Sequence, residues 1–142
     1  MKNTLPIVVA FLVFMATACT KSTSMTPSND MIDTSTAVLK YQGTFQNGPY
    51  GTVSGIAAVY QTGSKLQLKL TNFNTTNGPD LKVYLSKEVQ PVNFIKLGDL
   101  KSTSGNQVYD INGNPDFTQY KYALIHCEQY NHLFGSAQLM IP

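Results

Sequence analysis

The residues of this 142-residue chain best suited to chemistry stand together in the stretch LIHCEQY at positions 124–130. His126 directly precedes Cys127 there. A thiolate activated by a nearby base is a nucleophile, and both side chains are metal ligands. Apolar burial would instead keep the thiol protonated and inert. The sequence therefore leaves three hypotheses for Cys127: a redox centre, a ligand, or a small apolar residue in a core.

The order of the other possible ligands along the chain suggests one kind of metal site. Cys127, His132 and Met140 occur in the order Cys, His, Met, as in the ligand loop of blue-copper proteins. Such a site needs two histidines, a cysteine and a weak axial methionine, and the other histidine is His126. A closed zinc site needs about four ligands. Covalent c-type haem is excluded because the chain has no Cys-x-x-Cys-His motif. Copper bound through Cys127 stays a subsidiary hypothesis.

Asp80 is the second candidate site residue, at the end of the stretch NGPD (77–80). Asn-Gly favours a tight turn, Pro79 fixes the next φ, and an aspartate can accept backbone N–H bonds at the start of a strand. The turn is the favoured interpretation. The alternative is a carboxylate that helps to bind a cofactor at a rim near the cysteine strand, since loops commonly carry function.

The element that must position Cys127 is a strand in YKYALIHCEQ (120–129). Successive strand residues point to opposite faces, which puts Cys127 with Ala123 and Ile125. His126 then points to the other face, and a Cys–His dyad would need a bulge between the two residues. The apolar neighbours make the cysteine face the predicted core face.

The rest of the chain from residue 37 also has the pattern of strands. KLQLKLTNF (65–73) alternates leucine with polar residues, and LKVYLS (81–86) repeats the alternation, with Leu81, Val83 and Leu85 predicted to point inward. Turn residues separate the apolar stretches. We predict a single all-β domain, a jelly-roll-like β-sandwich of about eight antiparallel strands. The predicted strands are 38–45, 53–60, 65–73, 81–86, 94–100, 107–111, 120–129 and 136–141.

The amino-terminal residues predict export and lipid attachment. Lys2 precedes the apolar run LPIVVAFLVFMATA, which is short for a transmembrane helix and has the form of a signal peptide. ATAC places small residues before Cys19 and resembles the lipobox of bacterial lipoproteins, which implies cleavage before Cys19 and acylation of its thiol. The alternative is an ordinary secreted protein.

These features predict the organisation and location of the chain. Residues 1–18 form the lipoprotein signal peptide, 19–36 a Ser/Thr-rich flexible tether, and 37–142 the domain. The expected location is a bacterial cell envelope, at the periplasmic or outer-membrane face, with the membrane bound through lipid on Cys19. Lipidation would leave Cys127 without a disulfide partner in the chain.

Composition excludes several classes of function. The net charge is +2 and 13% of residues are charged, which argues against a nucleic-acid partner. The chain contains no nucleophile elbow, phosphate loop or zincin motif, and its carboxylates lack the paired spacing of a hydrolase. We interpret the domain as an accessory module rather than an enzyme with its own substrate turnover.

Three segments together carry a resemblance to a known family. They are LTNFNTTNGPDLKVYLS (70–86), LGDLKSTSGNQVYDI (97–111) and YALIHCEQYNHLFGSAQL (122–139). Their order and spacing resemble the DM-thirteen domain family over roughly residues 40–141. The matching positions are Asn72, Phe73, Gly78 to Asp80, Leu97 to Lys101, Gly105, Tyr109, Cys127 and Phe134 to Leu139.

The resemblance implies a β-sandwich module of electron transfer, found beside DOMON domains in animals and as small exported proteins in bacteria. It also implies that Cys127 acts as a bare thiol or as a ligand of haem or another metal, with a redox partner protein. The sequence departs from the family at Tyr50, Gly51 and Thr52, where a histidine is common.

The sequence is compatible with two functions. The first is a lipid-anchored redox or electron-transfer accessory module that works through Cys127. The second is a non-catalytic β-sandwich that binds a ligand or a protein, in which Cys127 only packs in the core.

Overall fold

The computed structural model describes residues 23–142. The predicted signal peptide and Cys19 therefore lie outside the described residues. Within 23–142 the chain forms strands and no helix, so no helix of this part is long and apolar enough to cross a membrane. The strands are β1 (Ser28–Asn29), β2 (Val38–Asn47), β3 (Val53–Thr62), β4 (Lys65–Thr75), β5 (Leu81–Ser86), β6 (Phe94–Asp99), β7 (Ser104–Ile111), β8 (Tyr122–Cys127) and β9 (His132–Gln138). The predicted all-β class is confirmed, and strands β2 to β8 correspond to the first seven predicted strands. Strand β9 begins four residues before the predicted strand 136–141 and ends three residues before it.

The strands form one curled sheet in the order β1-β7-β4-β3-β2-β9-β8-β5-β6. Strand β2 joins two layers. Its residues Val38 to Thr44 pair with β3 of the first layer, which holds β1, β7, β4 and β3, whereas Phe45 to Asn47 pair with β9 of the second layer, which holds β9, β8, β5 and β6. All neighbours are antiparallel except β1 and β7, which are parallel. One apolar core draws residues from both layers, which makes the fold sandwich-like.

The alternation predicted for β4 is present. Leu66, Leu68 and Leu70 are buried in the core, while the polar residues between them are wholly or partly exposed. Strand β5 differs from the expected half-buried strand, because all six of its residues are buried. Its outer face is covered by a second apolar cluster that Tyr84 forms with Leu124 and Leu133. The sequence could not show this, because the covering residues come from β8 and β9.

The described chain begins to contact the domain before β2. We call residues 24–32 the strap. Ser24 bridges to Ser102, β1 pairs with Gly105 and Asn106 at the start of β7, and Ile32 is buried. These residues belong to the segment 19–36 that the sequence predicts to be a flexible tether. The pairing uses backbone groups, so no alternation of apolar and polar side chains marks it in the sequence.

Two ends of the sandwich can be distinguished. Cys127 is the last residue of β8, and the connections 48–52, 76–80, 100–103 and 128–131 lie at the same end. Backbone hydrogen bonds join these connections, for example from Glu128 N to Asp80 O and from Leu100 N to Leu81 O. We call this the cysteine end. The β3–β4 turn and residues 112–121 lie at the opposite end.

Candidate functional site

Cys127 lies in the core at the cysteine end. It stands opposite Leu81 of β5 and His132 of β9, and its exposed fraction is 0%. Its side chain belongs to the main core cluster, together with Ala123 and Ile125 of its own strand. It is a free cysteine. The closed domain therefore gives solvent, a bulky cofactor or a partner no access to the sulfur.

His126 points away from Cys127, as strand alternation predicts. Its ring lies 5.6 Å from the Tyr84 ring on the outer face, and its Nε2 is 3.1 Å from Asn131 Oδ1. Burial lowers the pKa of His126, which favours the neutral imidazole, and its Nδ1 is buried without a hydrogen-bond partner. The Cys–His dyad is therefore not formed.

The copper hypothesis for Cys127, His132 and Met140 does not fit the geometry. His132 stacks on Tyr50 with ring centroids 3.6 Å apart, at the start of β9. Met140 bridges to Gln42 beyond the other end of β9. The eight residue steps from His132 to Met140 span about 26 Å of extended strand. Among residues 23–142, no group of three or more His, Cys, Asp or Glu is placed to hold a metal.

Asp80 lies at the rim beside the cysteine strand, but its carboxylate belongs to an ion-pair cluster. Lys82 Nζ lies 2.5 Å from Asp80 Oδ1 and 2.6 Å from Asp99 Oδ1. Only 6% of the Lys82 side chain is exposed, against 26% for Asp80 and 52% for Asp99. Burial opposes the charge on Lys82, but the hydrogen bonds that its ammonium group donates to the two aspartates outweigh burial and raise the pKa of Lys82.

Glu128 extends this cluster across the outer face of the second layer. Lys96 Nζ lies 2.9 Å from Glu128 Oε2, and the Tyr84 hydroxyl donates to Glu128 Oε1 at 3.0 Å. The hydrogen bond from Lys96 lowers the pKa of Glu128, whereas burial first and then Glu128 raise the pKa of Tyr84. Three carboxylates, of Asp80, Asp99 and Glu128, thus share two ammonium groups, of Lys82 and Lys96, directly beside the turn that follows Cys127.

The NGPD stretch has a structural role at the cysteine end. The Asn77 side chain accepts a hydrogen bond from Gly78 N at 2.9 Å. The predicted backbone cap by Asp80 is not formed, because its carboxylate pairs with Lys82 instead. A methyl group at Gly78 or Gly51 would overlap the Phe134 ring. These two glycines therefore let Phe134 close the core beside the cysteine strand. The assignment of Asp80 to cofactor binding stays a prediction.

Sequence reasoning missed Lys82 as the centre of a charged cluster. A signal was present, since Asp80, Lys82 and Tyr84 alternate along one strand face and could interact there. Asp99 and Glu128 could not be added to this set without the pairing of β5 with β6 and β8.

Comparison with known proteins identifies the family. The model of the family described as Electron transfer DM13 matches residues 44–139, more than half of the chain and nearly the whole sandwich. No curated protein and no solved structure matched the chain. Membership of this family indicates a redox-related accessory role. The chain belongs to the DM13 electron-transfer domain family.

Proposed function

We propose that this protein is an exported accessory module of an electron-transfer system, held at a cell-envelope membrane by lipid on Cys19 and acting through Cys127. The observation that carries the proposal is the family match, which spans the sandwich and includes Cys127. Cys127 is also the only cysteine among residues 23–142.

A single thiol limits the reaction to exchange with a partner. The Cys127 thiolate attacks one sulfur of a partner disulfide, a mixed disulfide forms, and the partner's other sulfur leaves as a thiolate. A thiolate of a second, dithiol partner then attacks the Cys127 sulfur of the mixed disulfide and releases the first partner as a dithiol. The other thiolate of the second partner displaces Cys127, so the Cys127 thiolate is restored, the first partner's disulfide is reduced and the second partner's dithiol is oxidised to a disulfide. Direct ligation of haem or copper is not part of the proposal, because the sulfur is sealed and its neighbours do not converge as ligands.

The turn at 128–131 is the segment whose opening would expose the sulfur. Its four residues are exposed, and Asn131 has φ +53, in the left-handed region. Backbone bonds from Glu128 N to Asp80 O and from Asn131 N to Glu128 O hold the turn in place. Segments with few buried contacts open at lower free energy than the core, which supports local access to Cys127.

The second candidate is the binding module in which Cys127 only fills the core. It is favoured by the zero exposure of Cys127 and by its apolar neighbours, since buried free cysteine behaves as a small hydrophobe. The two candidates differ in how the thiol becomes accessible. Local opening serves the first, and only global unfolding would expose the thiol in the second.

Alkylation of Cys127 as a function of urea distinguishes the two candidates. The chain from residue 19 with Cys19→Ser carries one thiol, and its rate of reaction with iodoacetamide is compared with that of the urea-unfolded chain. Local opening exposes little surface, so the redox proposal predicts a rate that hardly changes at low urea. Global opening would make the free energy of exposure fall by about 1–3 kcal/mol per molar urea.

A labelling rate that follows global unfolding at every urea concentration would refute exposure by local opening and favour the packing role. As a further readout, a mixed disulfide with a small aromatic disulfide should form on the folded chain and be absent from Cys127→Ser.

The lipid anchor is tested separately in cells. We expect Cys19→Ser to move the protein from the membrane fraction to the soluble envelope fraction, because the acylated thiol is lost. Ser22→Ala, which keeps Cys19, is the control and should stay with the membrane. Unchanged membrane attachment of Cys19→Ser in fractionation would contradict the lipoprotein assignment.

A further inference from the structure

The strap is fastened to the start of β7 by both backbone and side chains. Asp30 N donates to Asn106 O at 2.9 Å, and Thr103 N donates to Ser24 O at 2.9 Å. The Asp30 carboxylate lies 2.5 Å from Lys101 Nζ and accepts from Val108 N at 3.1 Å. These bonds fix the chain at several points along the edge of the first layer.

A buried polar network supports the strap at Thr26. The Ser102 hydroxyl donates to Thr26 O at 2.5 Å. Ser102 is held by Gln107, whose Nε2 donates to Ser102 O at 2.7 Å and whose Oε1 accepts from the Tyr109 hydroxyl at 2.7 Å. Gln107 is 0% exposed and Ser102 is 1% exposed. The residues that receive the strap are therefore rigidly placed.

Gly105 provides the room for this contact. Its φ is +94, a conformation that favours glycine, and a Cβ at this position would overlap the backbone of Ser28. The edge of β7 is thus shaped for close approach of β1.

Because of the strap, an anchor on Cys19 would hold the domain at Ser24 rather than at Val38. Strap and β7 are parallel, so Ser24 lies at the cysteine end and the chain then runs toward Val38 at the opposite end. Only five peptide steps separate Cys19 from Ser24, at most about 18 Å of extended chain. A tether free as far as Val38 would have nineteen steps, roughly 65 Å, and would hold the opposite end.

We propose that the strap turns the cysteine end toward the lipid surface, so that the Cys127 end of the sandwich faces the bilayer and the β3–β4 turn faces away from it. This inference rests on the lipid anchor of the proposed function. The ten-residue strand β3 is about 33 Å long, which is longer than the 18 Å reach. The two ends therefore differ clearly in their distance from the membrane.

The orientation also defines the partner that can reach Cys127. Partners embedded in or bound to the same membrane meet the cysteine end, whereas a freely diffusing protein meets the opposite end first. The lipid surface is the contact proposed here, and it is set by the short length of chain between Cys19 and Ser24.

The test couples the exported chain, beginning at Cys19, to vesicles of neutral phospholipid through a maleimide lipid on Cys19. Every chain in this test carries Cys127→Ala, so the maleimide reacts only with the anchoring cysteine. The chain has no tryptophan, so Gln129→Trp at the cysteine end or Ser64→Trp in the β3–β4 turn supplies a single donor. Both positions are exposed. Energy transfer to a dansyl headgroup lipid is then measured.

We expect several-fold more energy transfer from Gln129→Trp than from Ser64→Trp. The matched control moves the anchor past the strap, with Thr34→Cys in a Cys19→Ser chain, and should reverse the order of the two donors. Equal transfer, or more transfer from Ser64→Trp when Cys19 is the anchor, would overturn the proposal. Because the maleimide lipid supplies the anchor, this result is independent of whether cells acylate Cys19, which the fractionation experiment decides.

Discussion

Gly135→Ala should destabilise the domain by about 3 kcal/mol or more, at the upper end of the cost of overpacking a core. A Cβ at this position would lie 2.6 Å from Val53 Cγ2 and 2.8 Å from the Gln46 carbonyl oxygen. Val53 is buried and β-branched, so it has little freedom to move, and the Gln46 oxygen belongs to the backbone. The midpoint of urea unfolding, followed by circular dichroism, should fall accordingly.

The effect is large because Gly135 lies where the two layers join. Strands β2 and β9 pair only at Phe45, Gln46 and Asn47, and Gly135 is the partner of Asn47. The neighbouring change Ser136→Ala is the control, since Ser136 is partly exposed, and it should alter the midpoint little. If Gly135→Ala were as stable as Ser136→Ala, the pairing of β2 with β9 would contribute little to the free energy of unfolding.

Among substitutions of charged residues, Lys82→Met should lower the free energy of unfolding most, by about 2–3 kcal/mol at neutral pH. Removal of one partner of a buried ion pair costs about 3–5 kcal/mol, and partial exposure of Asp80 and Asp99 lets water reduce that figure. Both carboxylates contact the same Nζ, so without it two like charges lie close together. Urea unfolding of the two proteins measures the difference.

The difference should depend on pH in a defined direction. Ion pairing raises the pKa of Lys82 above its ordinary value of 10.5, so its stabilising contribution is complete below that pH and is lost as the pH rises through the raised value. In acid, protonation of a carboxylate removes the repulsion in Lys82→Met. The difference in free energy of unfolding between wild type and Lys82→Met should therefore be largest between about pH 5 and pH 10 and smaller on either side.

Lys96→Met is the matched control for this prediction. It removes the same charge from the same cluster, but the Lys96 and Glu128 side chains are each 42% exposed. Exposed pairs contribute about 1 kcal/mol at most. If Lys82→Met were as stable as wild type, the cost of burying the ammonium group would equal the gain from its carboxylates.

The strand pattern could be predicted because alternation is a local property. Leu66, Leu68 and Leu70 reveal a buried face without knowledge of any partner strand, and the same rule separates His126 from Cys127. The strap could not be predicted in this way, because Ser28 and Asn29 join β7 through backbone groups that every sequence possesses.

The candidate site was predictable only in part. The sequence shows that Cys127 lies on an apolar strand face and that NGPD forms a turn. It does not show that Lys82 meets Asp99, because seventeen residues separate them and only the β5–β6 pairing brings them together. The complete burial of the sulfur likewise depends on β5, β9 and Phe134 closing over it.

By itself, the sequence determined the all-β class, the strands β2 to β8, the family resemblance and the opposite directions of Cys127 and His126. These features follow from side-chain alternation and from motifs that lie within short segments. Only the tertiary structure decided that both faces of β5 are buried, that Lys82 is surrounded by carboxylates and that the strap begins at the cysteine end. Each of these depends on contacts between residues far apart in the chain, and strand pairing, which no local pattern encodes, sets those contacts.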